Sequence, residues 1–261
     1  MKKYLVIGNP IEHSLSPKLQ NYWIKKSNLE AIYGKLEANE HDFKELCNNI
    51  KNGELDGLNV TVPFKKSIIP YLDILSGNSL RTQSVNTISL ENGNLVGHNT
   101  DIDGFELSMK KLNYDVSDKS IFIIGAGGVV PSIIYSLKRM NSSKIYLTNR
   151  TKEKALNLKS LFNNLDILEW GNLPDFDMVI NATSLGLKEN DKFEIDFKNV
   201  GKNKFYYDVI YKPYKTEFSE AGNIEGNKYE NGLNMFLFQA QKAFNIWHNI
   251  EPEINEDVIK F

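Results

Sequence analysis

The apolar run Ile121 to Ile124 breaks into Gly125-Ala126-Gly127-Gly128-Val129, and the chain then resumes in a pattern that reads as a helix. A tight turn between a strand and a helix aims backbone N–H groups and the helix N-terminus at one spot, which suits a pyrophosphate. Gly127 and Gly128 carry no side chain to block that approach. Val130 replaces the third glycine of the usual dinucleotide fingerprint, a change that touches only the packing of helix on strand. Alone, the pattern also fits a glycine turn in any α/β unit.

The tip of the next strand carries more information. An NAD site commonly has Asp or Glu there, about twenty residues on, bonded to the ribose 2′-hydroxyl. Here Tyr146-Leu147-Thr148 leads into Asn149-Arg150-Thr151, with Lys154 close behind. Arg150 can stack on adenine and pair with a 2′-phosphate, and Lys154 adds charge. Asn149 and Thr151 can bond phosphate oxygens. A basic tip in place of an acidic one favours NADP over NAD. The competing account has Thr151 capping the following helix and Arg150 merely solvated.

Further polar residues stand where apolar ones would be ordinary. In Gly57 to Lys66, read as a strand, Leu58, Val60 and Val62 share one face. Asn59, Thr61 and Pro63 share the other, with Lys65 just beyond. A solvent-facing strand would have the same pattern. Ser84-Val85-Asn86-Thr87 repeats it, with Asn86 opposite to Val85. Ser16 reads as an N-cap with Pro17 at the first helical position, and a helix start there would also seat a carboxylate against Ser14 and Ser16. Asp101 precedes a helix, where capping is its plain reading. Gln239 lies about 100° from the centre of the stripe Phe236, Ala240, Ala243 and Trp247, a border position that suits either solvent or a cleft.

These residues must be placed by an α/β scaffold in which strands alternate with helices. Strands are expected at Leu5 to Gly8, Ala31 to Leu36 and Gly57 to Val62, with helices from near Pro17 and over Asp42 to Ile50. A hairpin pairs Ser84 to Leu90 with Leu95 to Asn99 through the Glu91-Asn92-Gly93-Asn94 turn. A second series begins near Asp101, where the domain division is placed. It contains a helix to about Leu112 and strands at Ser120 to Ile124, Lys144 to Thr148, Asp177 to Asn181 and Phe205 to Ile210, with a helix over Lys152 to Phe162. Helices over Leu233 to His248 and Asn255 to Phe261 close the chain.

Composition narrows the function. The formal charge of −2 with no basic block argues against nucleic acid or an anionic membrane as partner. No apolar run approaches a transmembrane length, and the first run, Tyr4 to Ile7, is too short for a signal core. With its single cysteine, Cys47, the chain is expected to be cytoplasmic. No metal site is expected. Cys47 reads as packing, and His13 as a surface loop residue.

The motifs Ser14-Leu15-Ser16-Pro17, Asn59-Val60-Thr61-Val62-Pro63-Phe64-Lys65, Val85-Asn86-Thr87 and Asn99-Thr100-Asp101 occur in order. Gly125-Ala126-Gly127-Gly128, Asn149-Arg150-Thr151 and Ile180-Asn181-Ala182-Thr183-Ser184-Leu185-Gly186 follow. Asp208-Val209-Ile210-Tyr211-Lys212-Pro213, Asn231-Gly232-Leu233-Asn234-Met235 and Gln239 complete the series. Together they resemble the shikimate dehydrogenase family almost end to end.

The resemblance implies reversible reduction of 3-dehydroshikimate to shikimate with NADPH, within aromatic amino-acid biosynthesis. It implies a substrate domain of residues 1–101 with 231–261, a Rossmann-like NADP domain of residues 102–230, and a substrate cleft between them. Matching positions make Lys65 and Asp101 the catalytic pair. Ser14, Ser16 and Tyr211 hold the substrate carboxylate, while Thr61, Asn86 and Gln239 bond ring hydroxyls. Val209 and Gly232 lie near the nicotinamide, with Thr183 and Ser184 along the cofactor. A monomer or homodimer is implied.

Two departures stand out. Ile102-Asp103-Gly104 follows Asp101 where many members have glycine at once, and Val129-Val130-Pro131 replaces the common small-residue pair and arginine. Neither touches the proton-transfer pair. The alternatives are a shikimate/quinate dehydrogenase with relaxed cofactor use, and a catalytically silent NADP- or shikimate-binding regulator.

Overall fold

The computed structural model describes residues 1–188, 191, 194–197, 200–223 and 226–260. They divide into two compact units, Met1–Phe105 with Leu237–Phe261, and Glu106–Phe236. Among the described residues, each unit is built on one six-stranded sheet.

The first sheet holds β1 (Lys2–Gly8), β2 (Ala31–Glu37), β3 (Gly57–Val60), β4 (Ile74–Leu75), β5 (Thr87–Glu91) and β6 (Asn94–His98). Their order is β2-β1-β3-β5-β6-β4. β1 runs parallel to β2 and β3, and the crossovers are made by α1 (Ser16–Lys26) and α2 (Phe43–Lys51). β5 is antiparallel to both β3 and β6, so this sheet is mixed rather than parallel throughout. The β5–β6 hairpin closes through Asn92 and Gly93 at φ 50° and 81°, the positive values that a two-residue turn of primed type requires. Short α3 (Gly77–Thr82) and then α4 (Asp101–Lys111) follow in sequence.

All four residues of β3 are buried, because the strand lies inside the sheet with helices against it. That removes the solvent-facing reading of Asn59. The strand is shorter than its pattern suggests: it stops at Val60, and Val62 is 56% exposed. The residues from Thr61 to Lys65 therefore turn away from the sheet edge.

The second sheet holds β7 (Ser120–Ile124), β8 (Lys144–Thr148), β9 (Leu165–Leu168), β10 (Met178–Asn181), β11 (Phe205–Asp208) and β12 (Lys228–Glu230). The order is β12-β11-β10-β7-β8-β9, and every pairing is parallel. This is the doubly wound arrangement, whose order reverses between β7 and β10, where such sheets bind ligands beyond the strand ends. α5 (Val130–Arg139), α6 (Lys152–Leu161) and α7 (Glu217–Gly222) belong to this unit. Phe122, Ile124, Phe176, Val179, Tyr206 and Phe218 pack in its core.

α8 (Leu233–His248) carries the chain back to the first unit, and α9 (Glu256–Ile259) follows, with Asn255 Oδ1 accepting from the Asp257 and Val258 N–H groups. Phe261, the last residue of the helix expected here, lies outside the described residues. Within the first unit Trp247 packs at a tilt against Tyr4, ring centroids 4.7 Å apart, and donates Nε1–H to Ile88 O at 3.1 Å. Gly57 makes room for that ring, since a Cβ there would lie 2.3 Å from Trp247 Nε1.

His248 packs between Tyr4 and Phe244 at centroid distances of 5.0 and 4.4 Å. Burial, helped by Lys2 and opposed by Asp56, holds its imidazole down to about 4. The unfolded chain takes up this proton first, so stability is complete above pH 6.5 and falls as pH drops toward 4. The half-buried ring should contribute about 1–2 kcal/mol of that loss. Unfolding curves across this range should show it, and His248→Phe should flatten the slope. An unchanged slope in the variant would place the titration elsewhere.

Candidate functional site

In the first unit, β1, β3 and β6 end, and β5 begins, at one edge of the sheet, as the pairings Ile7↔Val60, Asn59↔Thr87 and Thr87↔His98 require. The loops leaving that edge carry the polar residues. Lys65 follows the turn after β3, and its carbonyl accepts from the Val85 N–H at 2.8 Å. Asp101 is the first residue of α4. Lys65 Nζ donates to Asp101 Oδ2 at 2.6 Å, with the two side chains only 9% and 7% exposed. A buried ion pair is costly to desolvate unless its remaining valences are satisfied, which makes the surrounding bonds decisive.

Asn86 supplies them. Its Nδ2 donates to Asp101 Oδ1 at 3.0 Å and Thr100 Oγ1 at 2.9 Å, with a longer contact to Gln239 Oε1 at 3.4 Å. Its Oδ1 accepts from the Thr100 N–H at 2.8 Å. The Asp101 N–H goes to Asn99 Oδ1, so the Asp101 carboxylate is engaged with Lys65 and Asn86 rather than with capping. Behind Asn86, Asn59 Nδ2 donates to Asn86 O and Thr87 Oγ1, and Asn59 Oδ1 accepts from the Tyr33 hydroxyl at 2.6 Å. Lys65, Asp101, Asn86 and Gln239 thus form one bonded cluster backed by Asn59 and Tyr33. The last of these gave no signal in the sequence reading, because its partner is 26 residues away on another strand.

Ser14, Ser16 and Thr61 stand at the same edge, after β1 and β3. Ser16 is not the N-cap expected of it. It is the first residue of α1, the cap position falls on Leu15, and Leu15 makes no side-chain cap bond. The reason is local: the Leu15 carbonyl already accepts the Leu19 N–H at 3.1 Å, so the helix starts one residue early and Ser16 lies inside it. Thr61 N–H bonds Ile7 O, and its methyl sits against Gly8, where a Cβ would be 2.6 Å away. His13 is exposed. Cys47 is buried in the core, and burial pushes its thiol up to about 11, far from a reactive thiolate at neutral pH.

In the second unit the loops follow the carboxyl ends of β7, β8, β10 and β11. Gly125 has φ +113°, and a Cβ there would lie 2.7 Å from Ala182 O, so the fold itself demands this glycine. Gly127 is different: it is exposed, and a Cβ would meet only Ala182 O at 3.8 Å. The packing of this unit therefore does not itself require glycine there. Ala126, Gly128 and Val129 complete the turn before α5. Val130, standing for the third glycine, is fully buried, which shows that this interface accommodates a branched side chain.

Beyond β8, Arg150 and Lys154 are exposed, and Asn149 Nδ2 donates to Thr151 O at 2.8 Å. Thr151 occupies the cap position of α6 without a side-chain cap bond, so its hydroxyl is not committed to the helix. After β10, Thr183 Oγ1 donates to Asn181 Oδ1 at 2.7 Å, while Ser184 is exposed. Gly232 lies against Val209, where a Cβ would fall 2.1 Å from Val209 O. Tyr211 belongs to this unit and stacks on Phe236 at 4.6 Å. Open glycine backbone, a basic strand tip and several hydroxyls along one sheet edge fit a dinucleotide that carries an extra phosphate.

Comparison with known proteins gives this chemistry a family. Residues 6–88 match the family model of the shikimate dehydrogenase substrate binding domain, and residues 106–204 match that of shikimate / quinate 5-dehydrogenase. The shikimate dehydrogenase (NADP(+)) of Pelagibacter ubique is 51% identical over 258 residues, 99% of this chain and 97% of that protein. The chain belongs to the shikimate dehydrogenase family. Among solved members, shikimate dehydrogenase from Aquifex aeolicus superposes with a TM-score of 0.90 at 37% identity, covering 100% of this chain and 96% of its own. The Thermus thermophilus shikimate 5-dehydrogenase, solved in complex with NADP(H) and shikimate, gives 0.90 at 26% identity, covering 100% and 99%.

Proposed function

We propose that the chain is an NADP-dependent shikimate dehydrogenase that reversibly reduces 3-dehydroshikimate to shikimate on the route to chorismate and the aromatic amino acids. The observation that carries this reading is the buried Lys65–Asp101 pair at 2.6 Å, braced by Asn86 at the edge where hydroxyl and amide side chains converge. In this reading residues 1–101 with 231–261 bind the substrate, and residues 102–230 hold NADP(H). When bound, NADPH supplies the hydride that reduces the ketone carbon.

The chain's own residues do the rest. Lys65 Nζ gives a proton to the ketone oxygen, and in the oxidative direction takes it from the hydroxyl. Asp101 holds the ammonium in place through Oδ2, and Asn86 fixes the carboxylate through Oδ1. Ser14, Ser16 and Tyr211 bind the substrate carboxylate, and Thr61, Asn86 and Gln239 the ring hydroxyls. Gly125, Ala126, Gly127, Gly128 and Val129 take the pyrophosphate. Asn149, Arg150, Thr151 and Lys154 take the 2′-phosphate, Thr183 and Ser184 lie along the cofactor, and Val209 and Gly232 near the nicotinamide.

No helix among the described residues is long and apolar enough to cross a membrane. The proposal extends to a cytoplasmic enzyme working as monomer or homodimer. Reduction of NADP⁺ followed by absorbance, with shikimate and quinate as rival substrates and NAD⁺ as rival cofactor, tests it. The highest kcat/KM is expected for shikimate with NADP⁺. A preference for quinate or NAD⁺ would favour the relaxed enzyme, and no turnover at all the silent regulator.

A further inference from the structure

Asp208 closes β11 and is fully buried, yet the proton-transfer chemistry has no use for it. Among the described residues its three hydrogen-bond donors come from three separate segments. Oδ1 accepts from Asn181 Nδ2 at 2.9 Å, at the end of β10, and from the Ile210 N–H at 3.0 Å, in its own loop. Oδ2 accepts from Thr216 Oγ1 at 2.7 Å, and Thr216 is also the cap of α7, accepting the Ser219 N–H. All three donors are neutral. Burial pushes the carboxyl up to about 6, so near neutral pH it is a carboxylate that, among the described residues, is held by dipoles.

Two of these bonds lead to residues of the proposed cofactor site, Thr183 and Val209, and the third leads to the start of α7. Asn181 Oδ1 accepts from both the N–H and the hydroxyl of Thr183, and Thr183 Oγ1 accepts from the Leu185 N–H. The Ile210 bond fixes the peptides on either side of Val209, whose own N–H goes to Asn181 O at 2.9 Å. The Val209 carbonyl in turn leaves no room for a side chain at Gly232. An ionised acceptor makes shorter and stronger bonds than a neutral one, and a network closed on it holds its members in one arrangement.

We infer that Asp208 is a positioning residue for the cofactor: its carboxylate ties the loops carrying Thr183 and Val209 to the start of α7 and so sets groups that receive the cofactor. This rests on the NADP reading above. It makes Asp208 act through Asn181, Ile210 and Thr216 without touching the ligand. The signal in the sequence is an acid ending the aromatic strand Phe205-Tyr206-Tyr207, a place with no solvent to receive it.

The test measures binding on the intact chain, by fluorescence titration with NADPH and calorimetry with shikimate, for wild type, Asp208→Asn and Asp208→Ala. Asp208→Ala should weaken NADPH binding about tenfold or more, Asp208→Asn should fall between, and shikimate affinity should hold within about twofold. A folded Asp208→Ala that binds NADPH like wild type overturns the inference. So does an equal loss for both ligands, the mark of general loosening. If Asp208→Ala does not fold, Thr216→Val and Thr216→Ser decide: Val should weaken NADPH binding alone and Ser restore it, and equal behaviour of the two overturns the inference. A wild-type chain that binds shikimate but no NADPH overturns the cofactor reading beneath it.

Discussion

Lys65→Ala is expected to lower kcat by about 100- to 10,000-fold while leaving shikimate binding largely intact. The expected split follows from the geometry. Carboxylate recognition is assigned to Ser14, Ser16 and Tyr211, and none of these depends on the Lys65 ammonium for its place. The proton donor, by contrast, has no substitute within the bonded cluster, where Asn86 and Gln239 carry amides and Asp101 a carboxylate. Removing Lys65 also leaves a buried carboxylate with, among the described residues, the Asn86 amide alone against it, at a cost of about 3–5 kcal/mol. The melting temperature must therefore be measured beside the rate. Asp101→Asn keeps size and removes the charge that retains the ammonium, and should reduce kcat as well. Because the two groups act as one unit, the double variant should lose little more than the worse single one. A folded Lys65→Ala with near wild-type kcat would end the proposed mechanism.

How far the sequence foretold this arrangement depends on what fixed each element. β7 and β8 lie where their apolar runs place them, because a parallel strand covered on both faces reads as an uninterrupted hydrophobic stretch. The β5–β6 hairpin was legible for a different reason: Asn92-Gly93 tolerates the two positive φ values its turn needs. The misses share a cause too. β4 has two residues and β12 three, too few for any period to show, and each exists only because a longer neighbour, β6 or β11, offers it an edge. α3 begins Gly77-Asn78, which reads as a turn until Ser76 is seen to accept the Ser79 N–H. β9 and α7 are short for the same reading, the one only four residues long and the other six.

The site was legible by residue type and not by partner. Spacing located Lys65 and Asp101 at loop positions, but the bond between them spans 36 residues and depends on the fold of the first unit. The alternating pattern through Asn59 and Thr61 was equally compatible with a wet strand. What decides against that is the place of β3 between β1 and β5, where an amide must find protein partners, and Tyr33 and Thr87 provide them. Asn86 shows the limit most clearly. Expected from the sequence as a substrate ligand, it is bonded in the structure to the Asp101 carboxylate, a partner that no one-dimensional pattern encodes.

Cofactor choice should turn on Arg150. Arg150→Ala combined with Lys154→Ala is expected to raise the KM for NADPH by about 100-fold, with little change for NADH. Each charge-assisted bond to the 2′-phosphate contributes about 1.5–3 kcal/mol, and about 1.4 kcal/mol is a factor of ten. Both side chains are exposed, which brings the expected value toward the lower end and makes it dependent on ionic strength. Arg150→Asp goes further, because it restores an acid at the tip of β8 where a ribose 2′-hydroxyl could bond and a 2′-phosphate would be repelled. Its ratio of kcat/KM for NADPH over NADH should fall by more than that of the double alanine variant. Fold is not at risk in either case, since Arg150 and Lys154 are exposed and Thr151 already caps nothing. Steady-state kinetics with both cofactors at two salt concentrations decide the matter. If the ratio stays at its wild-type value in Arg150→Asp, phosphate selection lies elsewhere in the chain and the basic strand tip is a solvated surface.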